Sequence, residues 1–196
     1  MTARALLKSL LPSPVLQLIR DLRRAEPGAR LELLLLAATD DPARHLPGTG
    51  EGAIVFICHG NVLRSAVAEA LFRLRAPELA HRAASAGLHT RAGRPADPRG
   101  QVVARELGVE LKDHRSRLLD SDLVAGADLL VVMDRVNLAE TRSRHPEARN
   151  RVIRLGRLTR GTADIPDPYM GSEEDVRAAY HRVAEGVTEL IRQLKA

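Results

Sequence analysis

The chain has 196 residues, of which 44% are hydrophobic and 28% charged, and its formal net charge is +5. This allows one packed domain with some additional chain and argues against disorder over most of the sequence. The basic residues are mixed with acids and lack interleaved aromatics, so we expect no nucleic-acid partner. No apolar run approaches the ~18 residues of a membrane span. A single cysteine excludes an internal disulfide. Because a chain without disulfides suits a reducing compartment, we expect a cytoplasmic protein.

The first fifty residues are rich in leucine and arginine and are predicted to be helical. A first helix has its apolar residues on one stripe, namely Val15, Leu18, Ile19 and Leu22. Residues 31–38 predict a second, short helix. Such basic amphipathic helices can lie on a membrane, dock on a partner, pair two copies of the chain, or pack on the body of the same protein. We therefore expect a helical N-terminal extension over residues 1–50, a candidate for self-association or partner docking, with a linker at residues 47–52.

From residue 53 onward, strand and helix patterns alternate. Apolar runs predict strands at 53–57, 128–133 and 151–155, and a further short strand is expected to lead to Ser85-Ala86-Gly87. Helices are predicted at 65–75, 98–107, 135–145 and 172–195. This alternation predicts an α/β fold with three layers, α/β/α, around a central, mostly parallel four-stranded sheet. Residues 53–196 are expected to form this domain. Two inward faces are predicted: Val67, Ala70, Leu71 and Leu74 in the helix after the first strand, and Val176, Tyr180, Val183, Val187, Ile191 and Leu194 in the last helix.

The turn after the first strand carries Cys58 and, six residues later, Arg64. Loop N–H groups and a helix N-terminus bind anions, and an arginine fork can bind two phosphate oxygens together. The same positive field stabilises a thiolate nucleophile, to which Ser65 can donate a hydrogen bond. Gly60 lies where the backbone must curl closely. The alternative is an inert buried cysteine, but the position between a strand and a helix favours a phosphate-binding loop.

A second motif, Ile165 to Tyr169, places Asp167 between two prolines. A rigidly held carboxyl group can donate the proton that a departing phenolate needs. The alternative is an ordinary Asp-Pro turn before a helix, and the motif alone favours that alternative.

Together these pieces resemble the low-molecular-weight protein-tyrosine phosphatase family, bacterial type, over residues 53–196. The matching segments, in chain order, are Cys58 to Ser65, Ser85 to Leu88, Pro95 to Arg99, Asp113 to Arg117, Ala127 to Asp134 and Asp167 to Tyr169. The order also separates this family from larger tyrosine phosphatases, whose acid-bearing loop precedes the cysteine.

The resemblance implies hydrolysis of phosphotyrosine in proteins through a cysteinyl-phosphate intermediate, with neither a metal nor an organic cofactor. Cys58 would attack phosphorus, Arg64 would hold the phosphate oxygens, and Asp167 would act as general acid and then base. Tyr169 would wall the pocket against the substrate ring. The implied phosphate- or substrate-binding residues of the loop are His59, Gly60, Asn61, Val62 and Leu63, and the implied loop supports are Ser85 and His114.

Three positions bear on specificity and redox chemistry. Leu63 stands where many family members carry a second cysteine, so no reversible disulfide is expected to protect the nucleophile. Arg91 replaces a frequent aromatic, and we expect it to favour acidic residues near the phosphotyrosine. Val62 stands where arginine-phosphatase relatives carry threonine, and an apolar wall suits a phenyl ring.

Two other functions remain open from the sequence. An arsenate reductase of the small-thiol type needs only Cys58, although it has no use for Asp167. A non-catalytic phosphate- or phosphotyrosine-binding module would use the N-terminal helices for interaction. The expected partner of the favoured function is a phosphotyrosine protein, and the resemblance points to a bacterial tyrosine kinase.

Overall fold

The computed structural model describes residues 12–38, 46 and 50–196. Residues 1–11 and 39–45 of the predicted extension and residues 47–49 of the predicted linker lie outside the described residues. The helices are α1 (Ser13–Arg24), α2 (Arg30–Ala38), α3 (Arg64–Arg75), α4 (Pro98–Glu106), α5 (Ser121–Ala125), α6 (Arg135–Arg144) and α7 (Glu173–Leu194). The strands are β1 (Ala53–Cys58), β2 (Ala83–Gly87), β3 (Ala127–Val132) and β4 (Val152–Arg154). Short 3-10 turns cover Pro27–Ala29, Pro77–Arg82, Pro146–Arg151 and Leu155–Leu158.

The four strands form a parallel sheet in the order β2-β1-β3-β4. Their continuous apolar sequences follow from burial on both faces. Ile54 and Phe56 of β1 join the core with α3, α4 and α7, whereas Val55 and Ile57 face the layer that contains α5 and α6. The predicted three-layer α/β/α fold is confirmed.

The long closing helix α7 begins with a capping box, in which the side chains of Ser172 and Asp175 bind each other's backbone N–H groups. Its predicted inward face is buried apart from Leu194, which is partly buried. In α3 the prediction for Leu74 is wrong, because this side chain is 54% exposed. Helix α3 packs between the sheet and α7, so its buried face centres on Leu71 and Phe72 and turns away from Leu74.

Residues 13–38, here called the N-terminal arm, pack on the outer side of α6. Leu33 is fully buried with Ala25 and Ala29 against Val136 and Ala139. Of the alternatives open from the sequence, packing on the body of the same protein is the one found for these helices, and self-association stays a prediction. In the described part of the chain, no helix has both the length and the apolar character needed to cross a membrane.

The apolar stripe of α1 is only partly buried: Val15 is 39% exposed, Leu18 and Ile19 are half-buried, and half-buried Leu22 packs on the cluster around Leu33. The one fully buried residue of α1 is Asp21. The arm is also fixed to the body by ions: both terminal nitrogens of Arg149 contact the Glu32 carboxylate, at 2.6 and 2.8 Å. A bidentate pair of this kind sets orientation as well as proximity.

Candidate active site

The predicted site residues converge at the carboxyl edge of the sheet. Cys58 ends β1 and is in register with Gly87 at the end of β2, while Asp134 follows β3 closely. The chain passes from β1 to β2 on one side, then crosses to β3 on the other side of β1. Open parallel sheets bind ligands where the order of strands reverses in this way.

The loop from Cys58 to Arg64 has its carbonyl groups tied to neighbouring segments. The carbonyls of Cys58, His59 and Val62 accept backbone N–H groups of Leu88, His89 and Asp97, at 3.0, 2.8 and 3.0 Å. In a trans peptide the C=O of one residue and the N–H of the next point in opposite directions. Because these three carbonyls are bonded on the outer side of the loop, the amides that follow them point to its inner side. Independently of these ties, the Asn61 amide donates to Cys58 Sγ at 3.3 Å.

Asn61 holds the loop in its curled shape. Its φ angle is 50°, a left-handed conformation that asparagine tolerates better than most residues. Its side-chain nitrogen donates to Ser65 Oγ at 2.9 Å and to Ser85 Oγ at 3.0 Å, and its side-chain oxygen accepts the Arg117 amide at 2.8 Å. His114 Nε2 lies 2.7 Å from the Asn61 carbonyl oxygen. The two expected loop supports are therefore both bonded to Asn61.

Two further contacts complete the surroundings of the thiol. Ser65 Oγ lies 3.0 Å from Cys58 Sγ, within hydrogen-bonding distance. Gly87 lies beneath the loop, where a Cβ atom would stand 3.0 Å from backbone atoms of His59, Gly60 and Asn61. The loop can approach β2 this closely because position 87 carries no side chain.

Arg64 is a fully buried cation at the base of the site. Its Nη1 donates to Asp134 Oδ2 and to the Ile165 carbonyl, both at 2.9 Å. Its Nη2 is ion-paired with Asp167 Oδ2 at 2.8 Å, and Nε has no hydrogen-bond partner within the described residues. Burial favours a lower pKa for Arg64, but the carboxylates of Asp134 and Asp167 outweigh it and raise the pKa. The guanidinium is thus a permanent cation with N–H groups to offer a ligand.

Asp134 is a site residue that sequence reasoning missed. Its Oδ1 accepts the Asn137 amide at 2.8 Å as the N-cap of α6, while Oδ2 binds Arg64. Burial acts to raise the pKa of Asp134, but the charge of Arg64 prevails and lowers it. The sequence signal was an acidic residue directly between a buried strand and a helix, a typical N-cap position.

A pocket of about 150 Å³ opens above the thiol. It is lined by Cys58, His59, Gly60, Val62, Leu63, Arg64, His89, Arg94, Asp167 and Tyr169. His89 and Arg94 were not predicted, and no sequence signal singled them out. Arg91 is exposed and lies outside this lining, so its role in specificity stays a prediction.

His59 stacks on His89 at one side of the pocket, with 4.4 Å between ring centroids. Burial and the neighbouring His89 lower the pKa of His59, so its ring is neutral at neutral pH. A neutral, stacked imidazole contributes a flat wall to the pocket and no charge.

The segment with Asp167 and Tyr169 is anchored from below. Arg99 donates to the carbonyls of Tyr169 and Gly171, at 3.0 and 2.5 Å, and is itself paired with Asp97 at 2.7 Å. Asp167 Oδ1 lies 3.3 Å from the Tyr169 amide nitrogen. The carboxyl group and the aromatic wall are therefore held together at the pocket mouth.

A family model of the low molecular weight phosphotyrosine protein phosphatases matches residues 53–196. The chain belongs to this family, and it is a phosphatase. It is 35% identical to the probable low molecular weight protein-tyrosine-phosphatase EpsP of Ralstonia nicotianae, over 73% of this chain and 96% of that protein. It is 30% identical to the phosphatase Etp of Escherichia coli, over 72% of this chain and 94% of that protein.

Solved structures of phosphatases have the same fold as this chain. The tyrosine phosphatase AmsI of Erwinia amylovora superimposes with a TM-score of 0.70 and 29% identity, over 76% of this chain and 96% of that one. The arginine phosphatase YwlE of Geobacillus stearothermophilus superimposes with a TM-score of 0.67 and 30% identity, over 74% and 93%. Phosphatases of both specificities thus share the fold.

Proposed function

We propose that the protein hydrolyses phosphotyrosine in proteins through a cysteinyl-phosphate intermediate. The observation that carries this proposal is the buried Arg64, which lines one pocket with Cys58. Its Nε lacks a hydrogen-bond partner within the described residues, and its Nη2 is paired with Asp167, the proposed general acid. A dianionic phosphate would satisfy these N–H groups and the inward-facing loop amides.

The chemistry divides into two steps. In the first, Cys58 Sγ forms a bond to phosphorus while the bond from phosphorus to the tyrosine oxygen breaks, and Asp167 gives its proton to that oxygen. Arg64 and the loop amides stabilise the equatorial oxygens of the transition state. In the second, the Asp167 carboxylate takes a proton from water, which attacks phosphorus and releases the Cys58 thiolate and inorganic phosphate.

Phosphotyrosine is favoured over phosphoarginine by the walls of the pocket. Val62 is buried and apolar, and Tyr169 offers an aromatic ring on the open side. A phenyl ring gains from such contacts, whereas a guanidinium would lose its hydrogen bonds to water there.

The wider setting is part of the same proposal. We place the catalytic domain at residues 53–196 and the helical extension at residues 1–50. The substrate is a phosphotyrosine protein, for which a bacterial tyrosine kinase is the first candidate to test. The cytoplasm is the compartment that keeps the lone Cys58 thiol reduced.

The first test compares the wild type with Cys58→Ser and Asp167→Asn on an aryl phosphate and on phosphoarginine. Cys58→Ser should abolish turnover of the aryl phosphate, because no thiolate remains to attack. Asp167→Asn should lower kcat by roughly 10²–10⁴-fold, the usual loss for a general acid. Asp122→Asn, at an exposed aspartate of α5, is the matched control and should keep wild-type rates.

Other results would point elsewhere. A reduced wild type that hydrolyses no aryl phosphate contradicts the proposal, and arsenate with a small thiol and phosphotyrosine binding would be assayed next. Faster turnover of phosphoarginine than of phosphotyrosine would contradict the assigned specificity.

A further inference from the structure

The N-terminal arm reaches the active site through its Arg24, the last residue of α1. One terminal nitrogen of this side chain lies 3.8 Å from Asp134 Oδ2 and 4.0 Å from Asp167 Oδ2. The side chain is 45% exposed. Arg24 precedes the segment that matches the family model, residues 53–196. The extension therefore adds a cation beside the residue proposed as general acid.

Arg24 also lines a second groove, of about 440 Å³, beside the pocket. The groove is lined by Arg24, His59, Val136, Asn137, Asp167, Tyr169 and Met170. It shares His59, Asp167 and Tyr169 with the pocket, so the two spaces adjoin. A peptide whose phosphotyrosine enters the pocket can place its neighbouring residues in this groove.

The charges in the groove favour an acidic neighbour. Asp134 and Asp167 each lie within 2.9 Å of Arg64, whereas their separations from Arg24 are longer. When Asp167 carries the proton for the leaving group it is neutral, and the Asp134 carboxylate lies closer to Arg64, at 2.9 Å, than to Arg24, at 3.8 Å. Arg24 keeps an exposed positive charge in that state, and a carboxylate is its complement.

The position of Arg24 is set by contacts on either side of it. The Glu26 amide donates to Glu140 Oε1 at 3.2 Å, and the Glu26 carboxylate pairs with Arg144 Nη2 at 2.8 Å. Ala25, between Arg24 and Glu26, is buried against α6. The arm is thus attached to the catalytic body directly after Arg24, which limits the ordering that substrate binding would require.

We propose that Arg24 is a specificity-determining residue that binds the carboxylate of an aspartate or glutamate close to the phosphotyrosine. This rests on the proposed function and deepens it, since it names the substrate class as acidic phosphotyrosine peptides. It also gives the N-terminal arm a role in catalysis by the same polypeptide.

The test measures kcat/KM for two phosphotyrosine peptides that differ only in having glutamate or glutamine at the flanking positions. The variants are Arg24→Ala, Arg24→Glu, Arg91→Ala and, as matched control, Arg23→Ala, an exposed arginine one position earlier in α1. The ratio of acidic to neutral peptide is taken within each variant, so a general loss of activity cancels. An aryl phosphate without a peptide is assayed alongside.

The wild type should prefer the acidic peptide by about threefold to fivefold, the size of an exposed ion pair. Arg24→Ala should bring the ratio to about one, Arg24→Glu should invert it, and Arg23→Ala should retain it. A wild type without preference, an unchanged ratio in Arg24→Ala, or loss of preference in Arg91→Ala alone would overturn the assignment. A wild type inactive on the aryl phosphate instead contradicts the proposed function, and the inference with it.

Discussion

The close packing of the phosphate-binding loop on β2 depends on the absence of a side chain at Gly87. A Cβ there would lie 3.0 Å from the backbone of the loop that holds Cys58. The loop backbone is tied by hydrogen bonds on its outer side, so it can yield only by moving the amides proposed to bind phosphate.

We expect Gly87→Ala to lower kcat/KM for an aryl phosphate by about tenfold or more, because small displacements of reacting groups are costly. Gly126→Ala is the matched control: its Cβ would lie 3.6 Å from the Asp122 carbonyl, an ordinary contact. Steady-state kinetics at equal folded fraction, checked by circular dichroism, would decide. Wild-type kcat/KM in Gly87→Ala would show that the loop tolerates displacement.

At the scale of elements, helix α6 links the active site to the N-terminal arm. Its N-cap, Asp134, binds Arg64, and within its first two turns Val136 and Ala139 pack against Leu33. Glu140 of the same helix lies 2.6 Å from His89 Nε2, on the wall of the pocket. The arm and the active site therefore both contact this one helix.

The attachment of the arm can be tested with two leucines of α2. Leu33→Ala removes a fully buried side chain, and such truncations cost about 2–5 kcal/mol. Trypsin should then cleave the arm faster after its arginines, because local opening becomes easier. Leu31, which is 68% exposed, provides the control Leu31→Ala, with little change expected. Equal cleavage rates in both variants would mean that Leu33 does not hold the arm.

For the molecule as a whole, Asp21 makes stability depend on pH. Its carboxyl group is buried between the arm and the body. Its Oδ1 accepts a hydrogen bond from Gln17 Nε2 at 2.8 Å, and its Oδ2 has no hydrogen-bond partner within the described residues. Burial raises the pKa of Asp21 above its ordinary value of 3.8. The folded protein therefore binds this proton more tightly than the unfolded chain, so the contribution of Asp21 to stability falls as pH rises above that value.

We expect Asp21→Asn to raise the Tm at about pH 7 and to have a smaller effect near pH 3, where the carboxyl group is largely protonated in both states. Asp120→Asn should show the opposite sign. Asp120 caps α5 by accepting the Leu123 amide at 2.8 Å, and that hydrogen bond lowers its pKa. Thermal melts of the three proteins at both pH values are the measurement. A Tm difference for Asp21→Asn that is independent of pH would contradict the argument.

Much of this protein was predictable from local pattern. Continuous apolar runs indicated the buried strands, and a cysteine and an arginine six residues apart indicated the phosphate loop. The two prolines around Asp167 by themselves favoured an ordinary turn, and the role of general acid was implied only by the resemblance to the family. These features depend on neighbours in sequence, where spacing alone sets which groups share a face or a turn.

Tertiary structure decided the rest, because it depends on which distant segments meet. Arg64 binds Asp134 across 70 residues and the Ile165 carbonyl across 101, and no periodicity reports such pairs. The exposure of Leu74 and the burial of Asp21 reflect how helices turn against their neighbours, which single-helix patterns do not contain. Arg24 lies beside the active site because Leu33 and Ala25 bury against α6, and that packing energy is gained only after both partners have folded.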